Sequence, residues 1–294
     1  MRIGQKVAVA GMIVSGTLAV VKIVTGLMAG STSVVADGLE SAGDVFASGL
    51  VFLGLTVAAK PPDWNHPYGH GRAETITGMG VGLILLATGF TISFHALRQV
   101  GQAHQPPAMY AIWPLIGSIG VKSILGGVKY RIGKKIGSAA LGADAWNDAV
   151  DILSGLAALV AVALTLYDPQ RFLAADHYGG FVVGLIVIFT GIRVARDTGA
   201  QLMDTMPDDR MMRTIRDVAR QVSGVEGVEK CFARKTGLQY HVDLHLEVDP
   251  DITVRSSHDI AERVRNRIRQ DLDWVADVLV HVEPSPRDPR RNGM

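Results

Sequence analysis

The sequence predicts an integral membrane bundle of six transmembrane α-helices, followed by a small cytosolic α+β domain. The chain of 294 residues is 48% hydrophobic and only 19% charged, and the charged residues are concentrated in its last third. A helix needs about 20 apolar residues to cross a bilayer, and six such windows occur in succession. They are residues 7–29, 33–59, 75–97, 109–128, 138–166 and 178–192, the last of which is short and should extend at both ends.

A soluble all-helical bundle is the alternative, but six consecutive apolar windows would leave almost no solvated face. The first window could also be misread as a secretory signal, because Arg2 and Lys6 precede it. It is too long for a typical signal and lacks a clear cleavage site, so we interpret it as a helix. Cys231 is the only cysteine, which excludes an intrachain disulfide.

The distribution of lysine and arginine between the loops predicts the orientation in the membrane. If the N-terminus is inside, the outer side carries only Arg98 and Arg171. The inner side then carries Arg2, Lys6, Lys60, Arg72, Lys129, Arg131, Lys134 and Lys135. This excess predicts that both termini are cytoplasmic, and we expect a multi-pass protein of a bacterial inner membrane.

The pattern changes after Pro207, which predicts two domains. Residues 1–207 would form the membrane domain and residues 208–294 the cytosolic domain, with a disordered tail after about residue 286. Acidic residues at 208 and 209 suit the start of a helix, where negative charge interacts favourably with the helix dipole.

The rest of the cytosolic domain follows from its periodicity. Residues 239–248 alternate between apolar and polar side chains, which indicates a half-buried strand. Residues 256–272 form an amphipathic helical pattern, and three alternating valines at 278–282 indicate a closing strand. The predicted order is α-β-β-α-β, a ferredoxin-like arrangement.

Histidines and acids of this domain are candidate metal ligands, since imidazole and carboxylate suit first-row metals. Each histidine alone would be an ordinary surface residue, but four of the nine in the chain fall between residues 241 and 281. The candidates are His241, Asp243, His245, His258, His281 and Glu283.

Acidic residues also occur inside the second and fifth apolar windows, where a charge costs about 2.5–3.5 kcal/mol on insertion scales. These positions are Asp37, Glu40 and Asp44 in the second window, and Asp144, Asn147, Asp148 and Asp151 in the fifth. Such acids must be paired, hydrated or bound to a cation. In the other apolar windows, only Lys22 and Lys122 could form ion pairs with these acids. Both lysines could instead extend to an interface.

Spacing indicates which of these side chains cooperate. Glu40 and Asp44 are four residues apart and share a helix face, as do Asn147 and Asp151. The two segments also look like copies of each other, because an Ala-Asp pair precedes each set by the same distance. Two half-sites that face each other would supply four oxygen-bearing side chains to one cation.

Taken together, these motifs make the chain resemble the cation diffusion facilitator family over essentially its whole length. In that family, paired ligands on the second and fifth helices form the transport site, and they match Glu40, Asp44, Asn147 and Asp151. Asp37, Asp144 and Asp148 are possible accessory residues.

The resemblance implies two further metal sites. The inner loop DWNHPYGHGRAE is similar to a family hallmark whose ligands match Asp63, His66 and His70. The terminal domain looks like the family's cytosolic dimerisation domain, whose ligands match His245, His258, His281 and Glu283, with His241 and Asp243 as further possibilities.

One departure bears on the choice of metal. Zinc-transporting members typically carry histidine where this chain has Asn147, so every expected transport ligand is an oxygen donor. Zinc prefers nitrogen and sulfur, whereas manganese and ferrous iron accept carboxylate and amide oxygen. The sequence therefore favours Mn²⁺ or Fe²⁺, with Zn²⁺, Co²⁺ and Ni²⁺ as alternatives.

The function that fits is efflux of a divalent metal in exchange for protons, because metal binding requires deprotonated carboxylates. Rocking of the helices would expose the site alternately to each side. The expected partners are divalent cations, protons, the lipid bilayer and a second copy of the chain, and no nucleic acid. A metal-gated channel or sensor is an alternative. An intramembrane hydrolytic enzyme is another, although neither a serine–histidine dyad nor an HExxH string supports it.

Overall fold

The computed structural model describes residues 2–101, 105–136, 139–237 and 239–286, so the predicted tail after residue 286 lies outside the described residues. The chain divides into two compact units. The first contains Met1–Phe52 and Gly78–Arg196. The second contains Leu53–Thr77, which includes the end of the second long helix, the loop after it and the start of the third, together with the chain from Asp197 onward.

Within the described residues, six helices are long and apolar enough to cross a membrane, which confirms the six predicted spans. They are α1 (Arg2–Ala29), α2 (Thr32–Ala58), α3 (Arg72–Gln99), α4 (Ile112–Ile136), α5 (Ala139–Tyr167) and α7 (Ala175–Leu202). A short helix, α6 (Pro169–Phe172), precedes the last of them. Helix α7 extends beyond its apolar window at both ends, as expected.

Helices α3 and α7 approach each other through glycines spaced seven residues apart in each helix. A Cβ atom built on Gly89 would lie 2.8 Å from the carbonyl oxygen of Gly184. A Cβ atom on Gly184 would lie 2.8 Å from the backbone nitrogen of Ser93. Gly82 and Gly191 make equally close approaches, at 2.8 Å to backbone nitrogens of the facing helix. Small residues let membrane helices pack backbone against backbone.

The start of α2 is fixed by an acid at the start of α7. The buried Asp176 carboxylate accepts hydrogen bonds from the Ser31 hydroxyl at 2.7 Å and from the Thr32 backbone N–H at 2.6 Å. It also accepts bonds from the backbone N–H and the hydroxyl of Ser33. A carboxylate from another helix therefore caps the free N–H groups at the beginning of α2.

The second unit contains a three-stranded sheet and two amphipathic helices in the predicted order α-β-β-α-β. The elements are α8 (Asp209–Arg220), β1 (Gly227–Thr236), β2 (Gln239–Val248), α9 (Val254–Asp271) and β3 (Val275–Pro284). The strand order is β1-β2-β3, with β1 antiparallel and β3 parallel to β2. Asp208 caps α8 through the Met211 N–H, and Thr253 caps α9 through the Ser256 N–H.

One face of the sheet packs against the two helices and forms the core of this unit. Val242, Leu244, Leu246 and Val248 are buried along β2, and the polar residues between them are only partly buried. This alternation confirms the prediction of a half-buried strand. The histidines and acids of β2 consequently lie on the other face of the sheet.

Candidate metal sites

Four oxygen-bearing side chains of α2 and α5 line one cavity in the first unit. They are Glu40, Asp44, Asn147 and Asp151, the four residues that the sequence predicts for the transport site. Leu85, Val150, Val187 and Thr190 complete the lining. The cavity has a volume of about 10 Å³, which is at the lower limit for a single water molecule. A space of this size suits one desolvated ion rather than an organic substrate.

Hydrogen bonds within the cavity hold some of these groups and leave one oxygen available. The Asn147 amide donates to Oδ2 of Asp44 at 3.3 Å. The Ser154 hydroxyl donates to Oε1 of Glu40 at 2.8 Å. In the part of the chain that the structure describes, Oε2 of Glu40 is buried without a hydrogen-bond partner. An unsatisfied buried carboxylate oxygen is costly, and a bound cation would satisfy it.

Sequence reasoning missed Ser154. It is completely buried and lies three residues after Asp151, on the face of α5 that carries the predicted ligands. That spacing was the available signal, but a serine in an apolar helix usually bonds to its own backbone.

Two of the three possible accessory acids, Asp37 and Asp148, are engaged in buried ion pairs instead of lining the cavity. Asp37 lies 2.8 Å from Nζ of Lys22, and both side chains are 1% exposed. Asp148 lies 3.1 Å from Nζ of Lys122 and 2.7 Å from Nζ of Lys129. The side chain of Asp144 is outside the described residues.

One alternative and one expectation about lysines are therefore wrong. Lys22 and Lys122 do not extend to an interface, because both are buried against acids of neighbouring helices. Lys129 does not lie in an inner loop, because α4 continues to Ile136 and buries it beside Asp148. Pairing offsets much of the cost of a charge in an apolar environment, so a lysine need not reach water.

The loop between α2 and α3 brings Asp63, His66 and His70 together in the second unit, with potential ligand atoms within 4.8 Å of one another. Oδ1 of Asp63 lies 3.1 Å from Nδ1 of His66, and Oδ2 lies 3.3 Å from Nε2 of His70. The backbone N–H of His66 donates to Asp63 at 2.7 Å, which lowers the pKa of that carboxyl. The acid is therefore ionised and available to a metal.

The same loop contacts the β1–β2 hairpin within the second unit. The Tyr68 ring meets the His241 ring edge-on, with 5.9 Å between centroids, and the Arg234 guanidinium lies 5.8 Å from the Tyr68 centroid. A Cβ atom on Gly71 would lie 2.7 Å from the carbonyl oxygen of Thr236. Burial and the neighbouring Arg234 lower the pKa of His241.

A second, partly exposed cluster on the sheet consists of His245, His281 and Glu283. Residues 245 and 281 are register partners on the parallel strands β2 and β3. Nδ1 of His245 lies 2.5 Å from Oε1 of Glu283, and Nε2 of His281 lies 3.7 Å from the same oxygen. Among the described residues, the other candidates, His241, Asp243 and His258, do not join this group.

Two family models match the chain over most of its length. Residues 8–203 fit the model of the cation efflux transmembrane domain, and residues 207–285 fit that of the cytoplasmic domain of cation efflux proteins. The chain belongs to the cation efflux family. This confirms the resemblance to cation diffusion facilitators, and the chain is a multi-pass membrane transporter of metal cations rather than an enzyme.

Three relatives, one from a plant and two from bacteria, illustrate the similarity. Metal tolerance protein C1 of Arabidopsis thaliana is 32% identical over 298 residues, which cover 96% of this chain but only 63% of that relative's length. Manganese efflux system protein MneP of Bacillus subtilis is 32% identical over 287 residues, covering 96% of this chain and 97% of MneP. Magnetosome protein MamB of Paramagnetospirillum magneticum is 29% identical over 264 residues, covering 90% and 88%.

Proposed function

We propose that this cation efflux protein exports Mn²⁺ or Fe²⁺ in exchange for protons. The observation that carries the proposal is the convergence of Glu40, Asp44, Asn147 and Asp151 on one ion-sized cavity. The buried and unbonded Oε2 of Glu40 adds an oxygen that a cation would satisfy. The site lies between helices, where ion sites of secondary transporters commonly occur.

The preference for manganese or iron rests on the donor atoms. The described lining offers carboxylate, amide and hydroxyl oxygens, and neither imidazole nor thiolate. Oxygen donors suit Mn²⁺, whereas Zn²⁺ sites usually include nitrogen or sulfur. The relatives MneP and MneS are both named as manganese efflux system proteins. Zn²⁺, Co²⁺ and Ni²⁺ are the alternative substrates.

Exchange for protons follows from the chemistry of carboxylate ligands. Glu40, Asp44 and Asp151 bind a metal only when ionised, so metal entry displaces protons and metal release lets them return. With both termini in the cytoplasm of a bacterial cell, an inward proton gradient would drive export. This orientation is part of the proposal and is supported by the excess of basic residues on the inner side.

Metal uptake into proteoliposomes with an imposed pH gradient tests the proposal. We expect Mn²⁺ flux that collapses with the gradient, and Asp44→Asn and Asp151→Asn should each abolish it because they remove a charged ligand. Asp168→Asn is the control, since this acid caps α6 and does not line the cavity. Flux that persists without the gradient, with single-channel currents, would identify a channel. Full activity of either site variant would show that the site is elsewhere.

We further propose that the protein is a homodimer and that metal on the exposed sites regulates it. The cluster of His245, His281 and Glu283 supplies only three ligands, so a second copy could complete its coordination. Light scattering of the detergent-solubilised protein, with and without Mn²⁺, measures the assembly. His245→Ala should weaken a metal-dependent dimer, and His95→Ala on α3, outside both clusters, serves as the control. A monomer under both conditions would refute the proposal.

A further inference from the structure

Lys122 is a buried lysine of α4 whose ammonium group reaches two acids of α5. Its Nζ lies 3.1 Å from Oδ1 of Asp148 and donates a short hydrogen bond to Oδ2 of Asp151. The Lys122 side chain is 3% exposed and that of Asp151 is 4% exposed. Asp151 lines the cavity and Asp148 does not. The Lys122 ammonium group therefore bridges Asp151, which lines the proposed transport site, and Asp148, which lies beside it.

Asp148 is held in place independently of Lys122. Its Oδ2 lies 2.7 Å from Nζ of Lys129, which is two helical turns from Lys122 on the same face of α4. Gly126 lies between the two lysines, and a Cβ atom built there would lie 3.2 Å from Cβ of Asp148. This close approach of the α4 backbone sets the carboxylate between the two ammonium groups.

We propose that Lys122 is a positioning residue of the transport site and acts as a tethered cation. Its ammonium group pairs with the Asp151 carboxylate while the cavity holds no metal. When a metal binds, the ammonium group leaves Asp151 and pairs with Asp148 alone. The inference rests on the proposed function, because it assumes that Asp151 is a metal ligand.

Two physical arguments support this exchange. A lysine and a divalent ion on the same carboxylate repel each other strongly where water is scarce. The ammonium group lies at the end of a flexible four-carbon side chain. It is already 3.1 Å from Oδ1 of its second partner, Asp148, so only a small movement is needed. Lys122 also balances charge, since one lysine and one divalent cation match the three carboxylates of Glu40, Asp44 and Asp151. Metal entry therefore displaces a charge that remains inside the protein.

Calorimetric titration of the full-length protein with Mn²⁺ in detergent tests the proposal. The titrations use a background in which His66, His70, His245 and His281 are replaced by alanine, so that the exposed sites contribute little heat. Lys122→Gln should tighten Mn²⁺ binding by about tenfold or more, because a competing positive charge is gone. Lys22→Gln is the matched control. It deletes an equally buried lysine whose partners, Asp37 and Ser41, do not line the cavity.

A charge-conserving double variant gives the opposite expectation. Asp148→Asn with Lys129→Gln removes one acid and one base, and leaves Lys122 with Asp151 alone. Mn²⁺ should then bind about tenfold more weakly, because the displaced ammonium group has no second carboxylate. This double variant also tests the role of Lys122 if Lys122→Gln does not fold.

The outcomes separate the inference from the function on which it rests. Unchanged binding in Lys122→Gln, or an equal gain in Lys22→Gln, would overturn the role of Lys122 alone. If Asp151→Asn leaves the Mn²⁺ isotherm of the background protein unaltered, Asp151 is not a ligand. The proposed transport site and the proposed role of Lys122 would then both be refuted.

Discussion

The glycine contact between α3 and α7 makes a quantitative prediction about stability. A methyl group added at Gly89 would lie 2.8 Å from both the carbonyl oxygen of Gly184 and the backbone nitrogen of Ile188. These atoms belong to the helix backbone and cannot rotate away. Reaching ordinary contact at 3.4 Å requires the helices to separate by about 0.6 Å. Overpacking of this kind typically costs about 1–3 kcal/mol.

Gly80 provides a matched control on the same helix, because a Cβ atom there meets nothing within 4 Å. Both alanine variants gain the same helix propensity, about 1 kcal/mol, so the difference between them isolates the packing cost. We expect Gly89→Ala to unfold at a lower temperature than Gly80→Ala, by about 2–4 °C for each kcal/mol. Thermal unfolding in detergent measures this difference. Equal melting temperatures would refute the backbone-to-backbone contact.

Three further predictions concern other parts of the molecule. Asp176→Asn should destabilise the membrane unit by about 1.5–3 kcal/mol, because an amide has one acceptor oxygen for the donors at the start of α2; unfolding in denaturant, with Asp168→Asn as the control, measures the loss. Asn147→His should shift transport toward Zn²⁺ by adding a nitrogen ligand, and an unchanged Zn²⁺-to-Mn²⁺ ratio in competition assays would remove Asn147 from the coordination shell. Burial raises the pKa of the Cys231 thiol to about 11, so the reactive thiolate is scarce below that pH; iodoacetamide at pH 8 should label this cysteine only after unfolding, and rapid labelling of the native protein would contradict its burial.

The sequence was sufficient to predict the six helices and the candidate ligands of the cavity. A bilayer demands a minimum apolar length, so each span leaves a clear hydropathy signal. The spacing of Glu40 with Asp44, and of Asn147 with Asp151, defines a face of a helix without any knowledge of tertiary structure. Helix ends were less predictable, because α7 continues through the polar residues after 192.

Features that depend on contacts between distant residues could not be predicted. The pairing of Lys122 and Lys129 with Asp148 depends on how α4 packs against α5, which no local pattern encodes. Strand β1 was not located, because among its ten residues only Cys231 and Ala233 are buried and polar residues flank them. The absence of His258 from the described sheet cluster likewise reflects the packing of α9 on the opposite face of the sheet, which sequence spacing does not give.

The buried ion pairs of the first unit also bear on how the protein enters the membrane. Lys22 of α1 pairs with Asp37 of α2, and two lysines of α4 pair with Asp148 of α5. In both cases the partners lie on consecutive helices. Each unpaired charge would add about 2.5–3.5 kcal/mol to the insertion of its helix. A newly synthesised helical hairpin can neutralise these charges internally as soon as its second helix emerges, so insertion in pairs does not have to wait for the complete bundle.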